Sequence, residues 1–122
     1  MSYTGWLLPD RDQAELLQKF PPMYHDVIAH HVTLAMGVHE LPTATAGTVV
    51  GMADDGEGIQ ALVVSIDGTT ERPDGGTYHI TWSVDRETFN RKPVHSNDVL
   101  AEMGWEASWP VAINLVPMVF ED

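Results

Sequence analysis

The middle of the chain reads as a β-hairpin. Thr45 to Met52 and Gln60 to Ile66 are runs rich in β-branched and other apolar side chains. Between them, Ala53-Asp54-Asp55-Gly56-Glu57-Gly58 is dense in turn residues. With about six strands, two helices and mostly short connections in all, the chain reads as α+β.

The flanking segments supply the other elements. Tyr3 to Leu8 suits a first strand, ended by Pro9. Asp10 is placed to cap a helix running to about Phe20, with Ala14, Leu16, Leu17 and Phe20 as its apolar stripe. Pro21-Pro22 stops it. Tyr24 to Ala29 reads as an irregular or briefly helical approach to a strand over His31 to Met36. A loop rich in Gly, Asp, Pro and Thr, from Asp67 to Gly76, leads into a strand over Thr77 to Val84. Ser96, Asn97 or Asp98 can cap a short helix through about Met103, which Gly104 ends. Ser108 to Phe120 reads as an extended tail, with Pro110 and Pro117 suiting strand ends or sheet edges.

With 122 residues, 43 % of them hydrophobic and 20 % charged, the chain suits a single domain, residues 1–122, with a core of its own. Its net charge of −12 argues against wrapping long nucleic acid, which takes many Lys and Arg contacts to phosphate. A small anionic ligand in one local pocket is compatible with that charge. There is no cysteine, so disulfides, zinc–thiolate sites and thiol nucleophiles are excluded. No apolar run approaches the roughly 20 residues of a bilayer span. Met1 to Leu8 carries no basic region of the kind that opens an export signal, and the expectation is a soluble, cytoplasmic protein.

Six histidines stand at 25, 30, 31, 39, 79 and 95. Two of them open the same pattern, His31-Val32-Thr33-Leu34 and His79-Ile80-Thr81-Trp82, where composition alone predicts about 0.3 such tetrapeptides. Each falls in a segment already read as a strand. Alternation with period two puts each His and its Thr on one face, and Val32, Leu34, Ile80 and Trp82 on the other. If the strands are neighbours, two imidazoles and two hydroxyls converge. The same pattern also suits the wet face of two half-exposed strands.

Converging imidazoles and hydroxyls suit attack on a phosphodiester. One imidazole takes a proton from water and the other gives one to the departing ribose oxygen, both near neutral pH. Threonine hydroxyls donate to the non-bridging oxygens, where negative charge is held through the transition state. No cofactor or metal is required for that chemistry.

At these residues the chain resembles the 2H phosphoesterase superfamily, defined by two His-x-Ser/Thr-apolar motifs facing each other across a groove. Tyr3-Thr4-Gly5-Trp6-Leu7-Leu8 resembles the opening strand. Ala29-His30-His31-Val32-Thr33-Leu34 resembles the first motif as it stands in the cyclic-phosphodiesterase domain of fungal tRNA ligases and related phage proteins. Tyr78-His79-Ile80-Thr81-Trp82, followed by Pro93 and Ser96-Asn97, resembles the second motif and its trailing helix. The resemblance implies a pseudo-two-fold pair of antiparallel β-sheets around a central groove, with helices packed outside. It implies hydrolysis of 2′,3′-cyclic phosphates on nucleotides or RNA ends. Two alternatives stand beside it: cleavage of cyclic oligonucleotide second messengers, as in a phage branch that blocks CBASS signalling, and a non-catalytic module that sequesters a nucleotide. By analogy His31 is the general acid and His79 the general base, with Thr33 and Thr81 holding the phosphate. The partner is then a small nucleotide or RNA end, and the oligomeric state is open.

Other residues carry weaker signals. Tyr3, Trp6, Tyr78 and Trp82 are aromatic side chains available for base stacking, of which Tyr3 and Trp82 are kept as substrate-binding candidates, although each also suits a core. The adjacent His30 and His31 should point to opposite faces of a strand and so not share a metal ion. Arg86, Arg91 and Lys92 cluster after the second motif and suit a solvated turn better than a phosphate-attracting patch. Asp54, Asp55 and Glu57 lack the terminal acid of a calcium loop and suit a hairpin tip. Ser65 and Ser83 have no nucleophile-elbow context.

Overall fold

The computed structural model describes residues 2–37 and 39–121. The elements in chain order are β1 (Ser2–Leu7), α1 (Asp10–Lys19), β2 (Asp26–Val27), β3 (His31–Met36), β4 (Ala46–Asp54), β5 (Ile59–Ser65), β6 (His79–Val84), a 3-10 turn over Pro93–His95, α2 (Ser96–Met103), β7 (Glu106–Asn114) and β8 (Val116–Glu121). The chain is α+β: one large antiparallel sheet and two helices. The central hairpin is β4–β5, with Asp54 opposite Gln60 at its tip. Asp55 closes that tip by accepting backbone N–H bonds from Glu57 and Ile59 at 2.8 and 3.0 Å. This is the Asx geometry that suits Asp in turns.

The strand order is β7-β4-β5-β6-β3-β1-β8, with β2 also paired to β6. β7 and β8 occupy opposite edges of this order, yet Leu115 alone separates them in the chain. The sheet therefore folds over until its two edges meet at that residue, and Leu115 is buried in the core there. The tail expected as one extended segment is thus two strands serving opposite edges. Both prolines sit where a missing N–H is tolerated. Val49 pairs with Val111 and Gly51 with Ala107, so Pro110 belongs to a bulge of β7, and Pro117 lies in the edge strand β8.

The approach to β3 is neither irregular nor helical throughout. Asp26 and Val27 pair with Val84 and Ser83 of β6. Ile28 and Ala29 continue along the same strand, donating backbone N–H bonds to the carbonyls of Trp82 and Thr81. Ala29 then takes a positive φ of 45°, which kinks the chain before His30. From His31 the chain turns into β3, which pairs with β6 at Val32–Ile80 and with β1 along its length.

The core lies inside the folded sheet and under α1. Trp6, Leu8, Leu16, Val32, Leu62, Val64, Ile80 and Trp82 form its main cluster. Leu16 is the buried residue of the α1 stripe, Leu17 and Phe20 pack partly against the same cluster, and Ala14 is exposed. Asp10 does not cap α1: it is the first helical residue after Pro9, where its charge complements the helix dipole. β1 and β3 approach so closely at Gly5 that a Cβ there would run into the Val32 carbonyl. Among the described residues, no helix is long and apolar enough to cross a membrane.

Candidate active site

The β3–β6 seam organises the site. Val32 pairs with Ile80 in antiparallel register, and both are fully buried. Continuing that register one residue each way sets His31 across from Thr81 and Thr33 across from His79. Period-two alternation then turns all four away from the core, on the face opposite Val32 and Ile80. The four side chains line one cavity of about 440 Å³, together with Tyr3, Arg72, Asp74 and Asn97. That volume is in the ordinary range of small-ligand clefts, roughly 300–1,000 Å³.

The two imidazoles sit in different surroundings. His79 is only 8 % exposed, and its Nδ1 lies 2.7 Å from the Thr77 carbonyl oxygen. A carbonyl only accepts, so Nδ1 carries the proton and the neutral ring has its lone pair on Nε2. Burial pushes the pKa of His79 below the ordinary histidine value of 6.5; the Thr77 carbonyl opposes this and the Arg72 charge adds to it. His31 is half-buried, and its Nδ1 lies 3.0 Å from Nδ1 of His30. The expectation that His30 and His31 point apart is therefore corrected. The turn at Ala29 ends the alternation before β3 begins, so the two rings meet edge to face. Among the described residues, no group of three or more His, Asp or Glu gathers as a set of metal ligands.

The hydroxyls differ as well. Thr81 Oγ1 lies 2.9 Å from Ser96 Oγ and 3.2 Å from the Pro93 carbonyl oxygen. Ser96 is fully buried, and its hydroxyl goes to Thr81 rather than capping α2. The helix instead grows straight out of the 3-10 turn. When Ser96 donates to Thr81, the one Thr81 proton goes to the Pro93 carbonyl and has to turn from it to reach a ligand. Thr33 lines the groove on the other strand.

At one end of the groove Tyr3 stacks on Phe120, with ring centroids 4.9 Å apart and planes 18° from parallel. They are register partners across β1–β8, and His31 lies 5.0 Å from Phe120 by ring centroids. Trp82 takes no part: its fully buried indole donates to the Phe20 carbonyl at 2.7 Å. It stands on the Ile80 face of β6, so alternation assigns it to the core. Trp6 and Tyr78 are core residues too, packed edge to face.

Arg72 lines the groove beside His79, in the loop that the sequence marks only as turn-rich. Its Nε and Nη2 donate to the two oxygens of Asp74 at 3.1 and 3.2 Å, and Nη2 also donates to Asn97 Oδ1 at 3.2 Å. The guanidinium and the Gly76 N–H, at 2.8 Å, hold the Asp74 carboxyl below its usual pKa, the backbone bond most strongly. The basic cluster after the second motif lies elsewhere: Arg91 bonds Asp55 at 2.9 Å. The remaining histidines are distributed, with His39 on Ser2, His95 on the Lys92 N–H, and His25 beside Asp26. Phe120, Arg72, Asn97 and Ser96 were not marked as site residues by the sequence. No family model, no curated protein and no solved structure matches the chain.

Proposed function

We propose that the protein is a phosphodiesterase of the 2H type, hydrolysing 2′,3′-cyclic phosphates of nucleotides or RNA ends by paired histidine acid–base catalysis. The observation that carries this reading is the seam: two His-x-Thr segments set antiparallel about Val32–Ile80, with all four polar side chains lining one cleft. Antiparallel pairing relates its two strands by a local two-fold axis. On this reading β6-β5-β4-β7 on one side of the seam and β3-β1-β8 on the other correspond to the two halves of a pseudo-two-fold fold, with the groove between them.

The unequal surroundings of the rings favour one division of labour. His79, neutral and with Nδ1–H tied to Thr77, presents Nε2 as the base that takes a proton from the attacking water. The water oxygen bonds to phosphorus as the bond to one ribose oxygen breaks. His31 in its protonated form gives that oxygen a proton. Thr33 and Thr81 donate to the non-bridging oxygens, the Thr81 proton turning from the Pro93 carbonyl to the substrate while Ser96 donates to Thr81. The product is a phosphomonoester, and proton exchange with solvent restores both rings. Tyr3, which lines the groove and is backed by its stack on Phe120, is the ring available to the base.

The test is a product assay in EDTA, with 2′,3′-cyclic mononucleotides run beside cyclic di- and trinucleotides. Opening of the mononucleotides is expected, and the product isomer identifies the leaving oxygen. Cleavage of the cyclic oligonucleotides alone would move the assignment to signal destruction. Ligand bound and recovered unchanged would make the protein a sequestering module.

A further inference from the structure

We infer that Arg72 is the side chain that grips the substrate's phosphate, a role that rests on the phosphodiesterase reading. The chain has six Lys and Arg against eighteen Asp and Glu, so its net charge repels an anion. Among the described residues, Arg72 is the one Lys or Arg that lines the groove. Its side chain is 11 % exposed, so the guanidinium is largely withdrawn from water.

Three neighbours fix its orientation. Asp74 takes Nε and one Nη2 proton, and Asn97 takes the other Nη2 proton. The guanidinium also lies so close to Gly76 that a Cβ there would run into it. A guanidinium has five N–H donors. Three are used, and both hydrogens on Nη1 stay without a partner among the described residues. A planar fork held on one edge by a carboxylate presents its other edge ready-made for phosphate oxygens. Because Asp74 balances the charge, Arg72 works through aimed donors and adds little net field. Its contribution should therefore depend weakly on salt.

The experiment is calorimetric titration of the wild-type protein, Arg72→Ala and Arg72→Lys with nucleoside 2′- and 3′-monophosphates and with the parent nucleosides. Thermal melting of each variant serves as the check on folding. Arg72→Ala should weaken monophosphate binding about tenfold to a hundredfold, as for a lost charged hydrogen bond, and leave the nucleosides unchanged. Arg72→Lys, which keeps the charge without the fork, should recover only part of the loss. Equal monophosphate binding by wild type and Arg72→Ala would overturn the inference and leave the phosphodiesterase reading standing. Equal weakening of nucleoside and monophosphate would also overturn it, by reducing Arg72 to a brace for its loop. Failure of the wild-type protein to bind any monophosphate would overturn both.

Discussion

Replacing Thr81 with Val removes one hydroxyl and keeps the side-chain shape, and the structure sets what this costs. Thr81 Oγ1 is 2.9 Å from Ser96 Oγ, and Ser96 is fully buried. The variant leaves the Ser96 hydroxyl short of a partner in a dry place, a penalty of about 1–3 kcal/mol. The added methyl group offsets up to about 0.8 kcal/mol of this, so the net loss should be about 1–2 kcal/mol. Ser96→Ala strands Thr81 less, because Thr81 is only half-buried and keeps the Pro93 carbonyl. The double variant removes both polar atoms and should be no less stable than Thr81→Val alone. Urea unfolding of the four proteins then yields a coupling energy at least as large as the Ser96→Ala loss. Turnover should fall on the order of 10²-fold in Thr81→Val, as for a lost charge-stabilising donor, and by less in Ser96→Ala. Additive stability losses, or full turnover in Thr81→Val, would refute the reasoning.

Two further outcomes follow from named contacts. The folded chain holds His79 neutral below the ordinary histidine value of 6.5, so unfolding takes up a proton as the pH falls past that value. The stability this provides is complete above 6.5 and is lost as pH falls through the lower folded value. Urea midpoints measured from pH 7 to pH 5 should therefore drop more steeply in the wild type than in His79→Gln, and equal slopes would contradict the assignment. Arg91→Ala breaks the 2.9 Å bond to the nearly buried Asp55 and should cost about 1–3 kcal/mol in urea unfolding. It should leave kcat/KM within about twofold, since the Arg91 bond braces the hairpin tip outside the groove; a large loss of kcat/KM would contradict that.

Much of this arrangement is legible in the residues because the β period is short and strict. Once His31–Leu34 and His79–Trp82 are read as strands, alternation alone assigns Val32, Ile80 and Trp82 to the core and the His and Thr side chains to the other face. Other features depend on where the chain bends. Nothing in the tail's pattern marks Leu115 as a corner, since an apolar residue between two strands looks the same whether the strands share an edge or serve opposite ones. The meeting of His30 with His31 depends on one positive φ at Ala29, a conformation that an alanine does not advertise. Ser96 fits a helix cap by composition, yet its hydroxyl goes to Thr81, a contact made across 15 residues of chain. Arg72 is hidden for a similar reason. Its loop is rich in turn residues, and only the packed structure sets that loop against the groove.

The central claim is that His31 and His79 act as one acid–base pair. Its most direct measurement is the turnover of a 2′,3′-cyclic mononucleotide, in EDTA, by His31→Ala, His79→Ala and the double variant. If the two rings serve one transition state, each single variant should lose on the order of 10³-fold, and the double variant scarcely more than either. Losses that multiply, or a single variant that keeps full turnover, would contradict the paired mechanism.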